Sequence, residues 1–131
     1  MAIQSRNLSI LLNKQLPNAK VFLSDSSCAI PNRDWLQGDF YRMYLRNLRA
    51  NKLYQWREYH DCDNKAFKYW QFASDCHAMT MMLREKQGLE IHQGIAVGVL
   101  FFMQDNAGGH AINFAITNKG LEFIEPQNGV S

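Results

Sequence analysis

The spacing of apolar side chains predicts that the first half of the chain is mainly helical. Apolar residues recur at intervals of three and four from Leu36 to Leu48, which places them on one face of a helix. Asn32 and Asp34 are alternative caps for its start, and Ala50 lies near its end. The arginines of this segment lie mostly off the apolar face and predict a solvated basic surface; they are Arg42, Arg46 and Arg49.

A second apolar stripe predicts a longer helix of about Cys62 to Lys86. Its members share the same spacing and are Ala66, Tyr69, Trp70, Ala73, Cys76 or His77, and Thr80. Asp61 has the position of the N-terminal cap, and Gly88 has that of the C-terminal stop. His77 and His92 have no recognisable partners in the sequence and are assigned no role.

The second half of the chain has the pattern of strands. The nearly unbroken apolar run from Ile95 to Met103 predicts a central strand that is covered on both faces. Gly108 to Thr117 and Leu121 to Glu125 are two further strands. Between them, Asn118-Lys119-Gly120 predicts a hairpin turn in which Gly120 has a positive φ.

The order of these elements predicts an α+β fold in which N-terminal helices pack on a small antiparallel sheet. Lys20 to Leu23 is a further short strand, and residues 1–19 are too weakly patterned to assign. A length of 131 residues favours one domain, spanning 1–131. Because 47% of the residues are hydrophobic and 20% are charged, we expect a packed core rather than long disorder.

Charge and cysteine content narrow the classes of function and compartment. The formal net charge of +2 is too small to indicate a nucleic-acid partner. The three cysteines, Cys28, Cys62 and Cys76, form no CxxC pair, so no disulfide framework is expected and a reducing compartment fits best. The N-terminus lacks the apolar core of a signal peptide, and the longest apolar run is too short to cross a membrane. The sequence therefore predicts a soluble protein, cytoplasmic where it is made.

One cysteine has a setting that suits nucleophilic chemistry. If Asp61 caps the second helix, Cys62 is its first residue, where unpaired N–H groups and the positive end of the helix dipole stabilise a thiolate. His110, near the start of the first strand of the hairpin, can take the thiol proton, and Glu125 can orient the histidine ring. Gln127 can direct its amide at a developing oxyanion or at the histidine.

The length of the hairpin turn decides whether the histidine and the acid share a face of the sheet. A two-residue turn at Asn118-Lys119 pairs Glu125 with Ile112, on the same face as His110. A three-residue turn pairs Glu125 with Asn113, on the other face, unless a bulge intervenes. Asn113 or Gln127 is then an alternative partner for the histidine. The sequence leaves both registers open.

Three short motifs resemble a branch of the papain-like cysteine peptidases. In chain order they are Asp61-Cys62-Asp63-Asn64, Gly109-His110-Ala111-Ile112-Asn113 and Ile124-Glu125-Pro126-Gln127. This branch is found as the C-terminal domain of a fungal agglutinin and in small phage-type proteins. The resemblance covers about half of the chain, from Tyr59 to Gly129, and implies a papain-like or transglutaminase-like core.

At the matching positions, the resemblance implies a cysteine hydrolase that acts on a peptide or isopeptide amide. Cys62 would be the nucleophile, His110 the general base and acid, and Glu125 the orienting acid. Gln127 would be an auxiliary group near the oxyanion site. A protein or peptide substrate is the partner that this interpretation implies.

The resemblance also implies calcium dependence and makes Asp61 and Asp63 candidate ligands of a divalent ion. Two carboxylates beside a thiol oppose its ionisation, and a bound cation would remove that penalty. Asn64 stands where the resemblance leads us to expect a further Asp, which argues against the calcium site. The chain has no sugar-binding trefoil domain, so lectin activity is not implied.

Two alternative hypotheses come from other classes of protein. One is a non-catalytic phage or prophage protein that keeps the fold as a structural or inhibitory binding module, because fold does not determine function. The other is an accessory domain that binds a divalent cation. The oligomeric state is left open by the sequence.

Overall fold

A computed structural model describes the chain over residues 2–15, 20–22, 27–53, 61–88, 93–104 and 108–126. Its helices are α1 (Ser5–Gln15), α2 (Arg33–Trp35), α3 (Tyr41–Ala50) and α4 (Cys62–Lys86), and a π-helical segment (Leu36–Phe40) joins α2 to α3. Its strands are β1 (Ala2–Gln4), β2 (Lys20–Phe22), β3 (Ser27–Ala29), β4 (Gly94–Ile95), β5 (Val97–Gln104), β6 (Gly108–Thr117) and β7 (Gly120–Ile124). Within these ranges, no helix is both long and apolar enough to cross a membrane.

The strands form two sheets. The larger sheet has the order β2-β5-β6-β7 and is antiparallel throughout. The smaller sheet has the order β1-β3-β4, in which β1 and β3 are antiparallel and β3 and β4 are parallel. The predicted α+β arrangement is confirmed in this coarse form. The smaller sheet was not predicted, because its short strands have no clear pattern in the sequence.

The helical stretch from Arg33 to Ala50 is capped by Asn32 rather than by Asp34. The Asn32 Oδ1 atom accepts a hydrogen bond from the Trp35 N–H at 3.2 Å. The apolar residues that the sequence placed on one face are Leu36, Phe40, Tyr44, Leu45 and Leu48. All of them are buried except Leu45, which is half-buried. On an α-helix, each residue of a row spaced by four is rotated by about 40° around the helix axis relative to the residue before it. The wider turn of the π-helical segment reduces this drift where Leu36 and Phe40 enter the core.

Helix α4 begins and ends where the sequence predicts. Asp61 and Asn64 form a reciprocal capping box, in which the Asp61 N–H donates to Asn64 Oδ1 at 3.2 Å. Asn64 is the residue that departs from the peptidase motif. In this structure its side chain caps the helix. At the other end, Gly88 has a φ of 83°, a conformation that glycine adopts without strain.

The hairpin has the shorter of the two possible turns. Thr117 pairs with Gly120 and Asn113 pairs with Ile124, so only Asn118 and Lys119 lie in the loop. Gly120 has a φ of 111°, as the turn chemistry requires. This register places position 125 opposite Ile112, on the same face of the sheet as position 110.

The two faces of β6 bury different parts of the core. Ala115 packs with Tyr69 and Ala73 of α4 and with the aromatic residues of α3. The alternate residues Phe114 and Ile116 pack instead with Leu12 of α1 and Cys28 of β3, and both Leu12 and Cys28 are fully buried. Helix α1 therefore covers the face of the larger sheet that α4 leaves open.

The apolar run from Ile95 to Met103 serves both sheets instead of forming one strand. Ile95 belongs to β4, and the backbone bends at Ala96 before β5 begins. Ala96 links the sheets, because its N–H donates to Ala29 O at 2.8 Å and its carbonyl accepts from the Ile116 N–H at 3.0 Å. The prediction of a single central strand is therefore wrong at its N-terminal end.

A buried amide joins α4 to the sheet. Asn113 is completely buried, and its Nδ2 donates to Ala66 O at 2.8 Å and to Gly98 O at 3.1 Å. Its Oδ1 has no hydrogen-bond partner within the described residues. One side chain thus connects the first turns of α4 to both β6 and β5.

Replacing Asn113 with leucine is expected to lower the free energy of unfolding by about 1–3 kcal/mol, because two interactions across the helix–sheet contact are lost. The measurement is urea denaturation, read as a lower midpoint with an unchanged m-value. Asn7→Ala, on the exposed surface of α1, is the control and should change the stability by less than about 0.5 kcal/mol. An Asn113→Leu protein as stable as the wild type would contradict this role.

Candidate functional site

Cys62 is the first residue of α4 and is half-buried. It packs, together with Phe67 and Trp70, against the small cluster formed by Ala66, Val99 and Ala111. The capping box immediately before it fixes the direction of the helix start. The structure therefore provides the setting that the sequence predicted for this thiol, at the positive end of the helix dipole.

His110 and Glu125 are in direct contact. The Nε2 atom of His110 lies 2.9 Å from Oε2 of Glu125, and the two side chains are 20% and 26% exposed. The contact depends on the two-residue hairpin turn, which puts both residues on one face. If Nε2 donates to the carboxylate, a neutral His110 ring has Nδ1 as its acceptor.

The described contacts bring these predicted residues together only in part. They join His110 to Glu125, and they place Cys62 against a cluster that includes Ala111, the residue after His110 on β6. Cys62 therefore packs near the start of β6, where His110 is also located. Gln127 lies outside the described residues.

The two acids beside Cys62 interact with each other. A hydrogen bond between their carboxyl groups raises the pKa of Asp63 and lowers the pKa of Asp61. One ligand atom from each acid and the Cys62 Sγ all lie within 4.8 Å of one another. Calcium prefers six to eight oxygen ligands, and the described residues of this cluster supply two carboxylates and a thiol. This donor set does not fit calcium, and the cation dependence stays a prediction.

Lys65 is an unusual residue for the interior, because only 1% of it is exposed. Burial lowers the pKa of its ammonium group, and attraction to Asp61 and Cys62 opposes that change. Its backbone carbonyl accepts a hydrogen bond from the Tyr44 hydroxyl at 3.1 Å. A buried cation therefore lies under the start of α4, near the acids and the thiol.

A cleft of about 240 Å³ lies beside the second half of α4. Its lining includes Trp35, the segment Ala29–Pro31 and Ile95. The side chains that α4 contributes are Cys76, His77, Thr80 and Arg84. The sequence did not predict this cleft. His77 was assigned no role, because its neighbours come from parts of the chain that are far apart in sequence.

Hydrogen bonds orient two of the polar side chains in the cleft. His77 Nε2 lies 2.9 Å from Gln93 O, so Nε2 is the protonated nitrogen and Nδ1 of a neutral ring is an acceptor. The Thr80 hydroxyl donates to Cys76 O at 3.2 Å, which leaves its oxygen lone pairs as acceptors. The Trp35 ring is held by Phe40, with the ring centres 5.0 Å apart.

No protein-family model matches the chain, and no curated protein matches its sequence. Solved structures with a similar fold include two that cover nearly the whole of this chain. PSL1a, in complex with E64, superimposes with a TM-score of 0.71 at 21% identity, over 98% of this chain and 44% of its own. Polyporus squamosus lectin, bound to the human-type influenza-binding epitope Neu5Acα2-6Galβ1-4GlcNAc, has a TM-score of 0.68 at 21% identity over the same shares. The chain spans less than half the length of either neighbour.

These neighbours contradict the family and the function predicted from the motifs. One of the structures that share this fold is named as a lectin and has a bound glycan epitope, so the predictions of a papain-like cysteine peptidase and of its peptide substrate are wrong. The alternative of a phage structural or inhibitory protein gains no support either. The α+β arrangement holds, and a papain-like core is not confirmed. The roles of Cys62, His110 and Glu125 stay predictions.

Replacing Lys65 with methionine is expected to stabilise the fold at neutral pH, by an amount that shrinks as the pH approaches about 10. The pKa of Lys65 is lower in the folded chain than its ordinary 10.5. The charged side chain therefore costs the folded state free energy below its folded pKa, and this cost disappears as the pH rises from the folded pKa to the ordinary pKa.

The measurement is chemical denaturation of both proteins over this pH range. Burial also raises the pKa of Tyr44 and Tyr69, but these residues are common to both proteins and cancel in the difference. Lys68→Met, on the same helix, is the control for the exchange of a lysine for a methionine. A Lys65→Met protein that is less stable at neutral pH would show that the partners of the ammonium group outweigh its burial.

Proposed function

We propose that the chain is a carbohydrate-binding domain. The observation that carries this proposal is the superposition of 98% of the chain on a lectin whose structure contains the trisaccharide Neu5Acα2-6Galβ1-4GlcNAc. The proposal concerns this domain alone, because the chain spans 44% of the lectin. At 21% identity the likeness supports a common fold, so the binding itself has to be measured.

The surface of the domain supports the proposal. A sugar ring has hydroxyl groups around its edge and C–H groups on its faces, so a binding site needs hydrogen-bonding groups next to apolar surface. The cleft beside Trp35 has both kinds of surface, because its lining contains polar side chains of α4, an aromatic ring and aliphatic side chains. Clefts with this mixed lining are the usual form of small-ligand sites.

The first test is titration of the ¹⁵N-labelled chain with Neu5Acα2-6Galβ1-4GlcNAc, followed by amide chemical shifts. We expect saturable shifts with a dissociation constant between about 1 μM and 1 mM, because the site is open and small. The unrelated disaccharide sucrose is the control and should cause none. The absence of saturable shifts with the trisaccharide, in a folded chain, would contradict the proposal.

A second proposal concerns the chemistry of Cys62, and it does not include cleavage of a peptide. We propose that Cys62 is a reactive thiol whose proton is taken by His110, with Glu125 stabilising the charged ring. The observation that favours it is the 2.9 Å contact between His110 and Glu125, together with the position of Cys62 at the start of α4. A thiol at a helix start reacts readily with electrophilic carbon.

Labelling with iodoacetamide at neutral pH, read for each cysteine by mass spectrometry, tests this second proposal. The Sγ–C bond forms as iodide leaves with the electrons of the C–I bond, and the thiol proton passes to His110. We expect His110→Ala to slow Cys62 by about ten-fold or more, and Glu125→Gln to slow it by less. Cys76 is an internal reference, since burial raises its pKa.

His77→Ala is the matched control and should leave the labelling rate of Cys62 unchanged. The same rates measured with and without calcium test the cation dependence expected for Asp61 and Asp63. If wild-type Cys62 reacts no faster than it does in His110→Ala, the thiol proposal fails, whereas the carbohydrate proposal is unaffected.

A further inference from the structure

The second half of α4 exposes an apolar patch to solvent. Met79, Met82 and Leu83 are 60%, 58% and 61% exposed. Among the large hydrophobic residues that the structure describes, only Ile10 of α1 is exposed to a similar extent. A single exposed apolar side chain is ordinary, whereas several next to one another on one helix form a patch. Such a patch is typical of a surface that a partner covers.

The two methionines belong to a row of side chains on the outer face of α4. The inner face carries the buried residues Ala73 and Met81. The outer row is spaced by four, three and four residues, which is the spacing of the contact positions in a coiled coil; its members are Asp75, Met79, Met82 and Lys86. All four are exposed. The row thus has an apolar centre, an acid at one end and a base at the other.

This outer row is complementary to itself when a second copy of the helix lies antiparallel to the first. Asp75 and Lys86 lie at equal distances on either side of the midpoint of the row, and so do Met79 and Met82. A two-fold axis through the midpoint therefore places Asp75 opposite Lys86 of the second copy. It also places Met79 opposite Met82 of the second copy. Each pair occurs twice, so an ion pair flanks the apolar contacts at both ends.

The charges at the ends of the row favour the antiparallel orientation. Asp75 accepts a hydrogen bond from Gln71 Nε2 on Oδ1 at 2.8 Å, which leaves its Oδ2 atom as a further acceptor. Neither Asp75 nor Lys86 forms an ion pair within the described part of the chain. In a parallel pair of helices, each residue of the row would lie opposite its own copy. Asp75 would then face Asp75 and Lys86 would face Lys86, and like charges repel.

We propose that the chain forms a homodimer through the outer faces of α4, packed antiparallel about a two-fold axis. Methionine suits such a contact, because its flexible side chain fills irregular gaps. The row from Asp75 to Lys86 is about 16 Å long, since an α-helix rises 1.5 Å per residue. A contact of this length is at the low end of interface sizes, so we expect a dissociation constant between about 1 and 100 μM. The inference does not depend on the carbohydrate or thiol proposals.

Sedimentation velocity of the chain at concentrations from about 1 to 500 μM tests the dimer. We expect monomer at the lowest concentration and mostly dimer at the highest. Met82→Glu should raise the dissociation constant about ten-fold or more, because it places carboxylates in the apolar centre of the contact. Met82 is exposed, so the variant is expected to fold, and circular dichroism checks this. Arg46→Glu, on the exposed surface of α3, is the control and should leave the dissociation constant unchanged.

Exchange of the charges at the ends of the row tests the antiparallel orientation. Asp75→Lys and Lys86→Asp each place like charges opposite one another at both ends. At low ionic strength, either variant alone should associate about five-fold or more weakly than the wild type. An equimolar mixture of the two variants restores both ion pairs in a heterodimer, and the double variant restores them in a homodimer. We therefore expect the mixture and the double variant to associate as tightly as the wild type.

Three results would overturn the proposal. A chain that stays monomeric at about 500 μM would show that the patch is not a contact between copies and would point to a different protein as its partner. A dimer that Met82→Glu leaves unchanged would show that the copies meet through another surface. If Met82→Glu weakens the dimer but the mixture of charge variants associates no better than either variant alone, the antiparallel arrangement is wrong.

Discussion

The contact between the start of α4 and the larger sheet is the interaction on which both candidate sites depend. Two carbonyl groups of this helix accept hydrogen bonds from buried side chains, Ala66 O from Asn113 on β6 and Lys65 O from Tyr44 on α3. These bonds supplement the packing of alanines, which allow the helix to approach the strands closely. Because α4 is one continuous helix of 25 residues, fixing its first turns also fixes the side of the cleft near its end.

Local signals in the sequence were sufficient to predict the helix and strands that carry the candidate thiol site. The bounds of α4 follow from a capping box at Asp61 and a glycine at position 88, each of which acts within a few residues. The contact between His110 and Glu125 was predicted for one of two turn lengths. The sequence could not choose between them, because register depends on packing against β5 and α4 as well as on turn chemistry.

The elements that were missed depend on contacts between distant parts of the chain. Strands β1 and β3 have three residues each and exist because they pair with each other and with β4. The Trp35 cleft likewise joins residues near positions 30, 80 and 95, which no local pattern connects. The peptidase interpretation failed for a related reason. Short motifs describe a local arrangement around Cys62 and His110, and the same fold occurs in a protein named as a lectin.

The thiol and the cleft lie at opposite ends of α4. Twenty-two residues separate Cys62 from Arg84, which corresponds to about 33 Å along a helix. Substitutions at this distance that share no partners have additive effects on stability. A coupling between the two sites would require α4 to move as a whole, and Asn113 and Tyr44 hold its first turns in place against such movement.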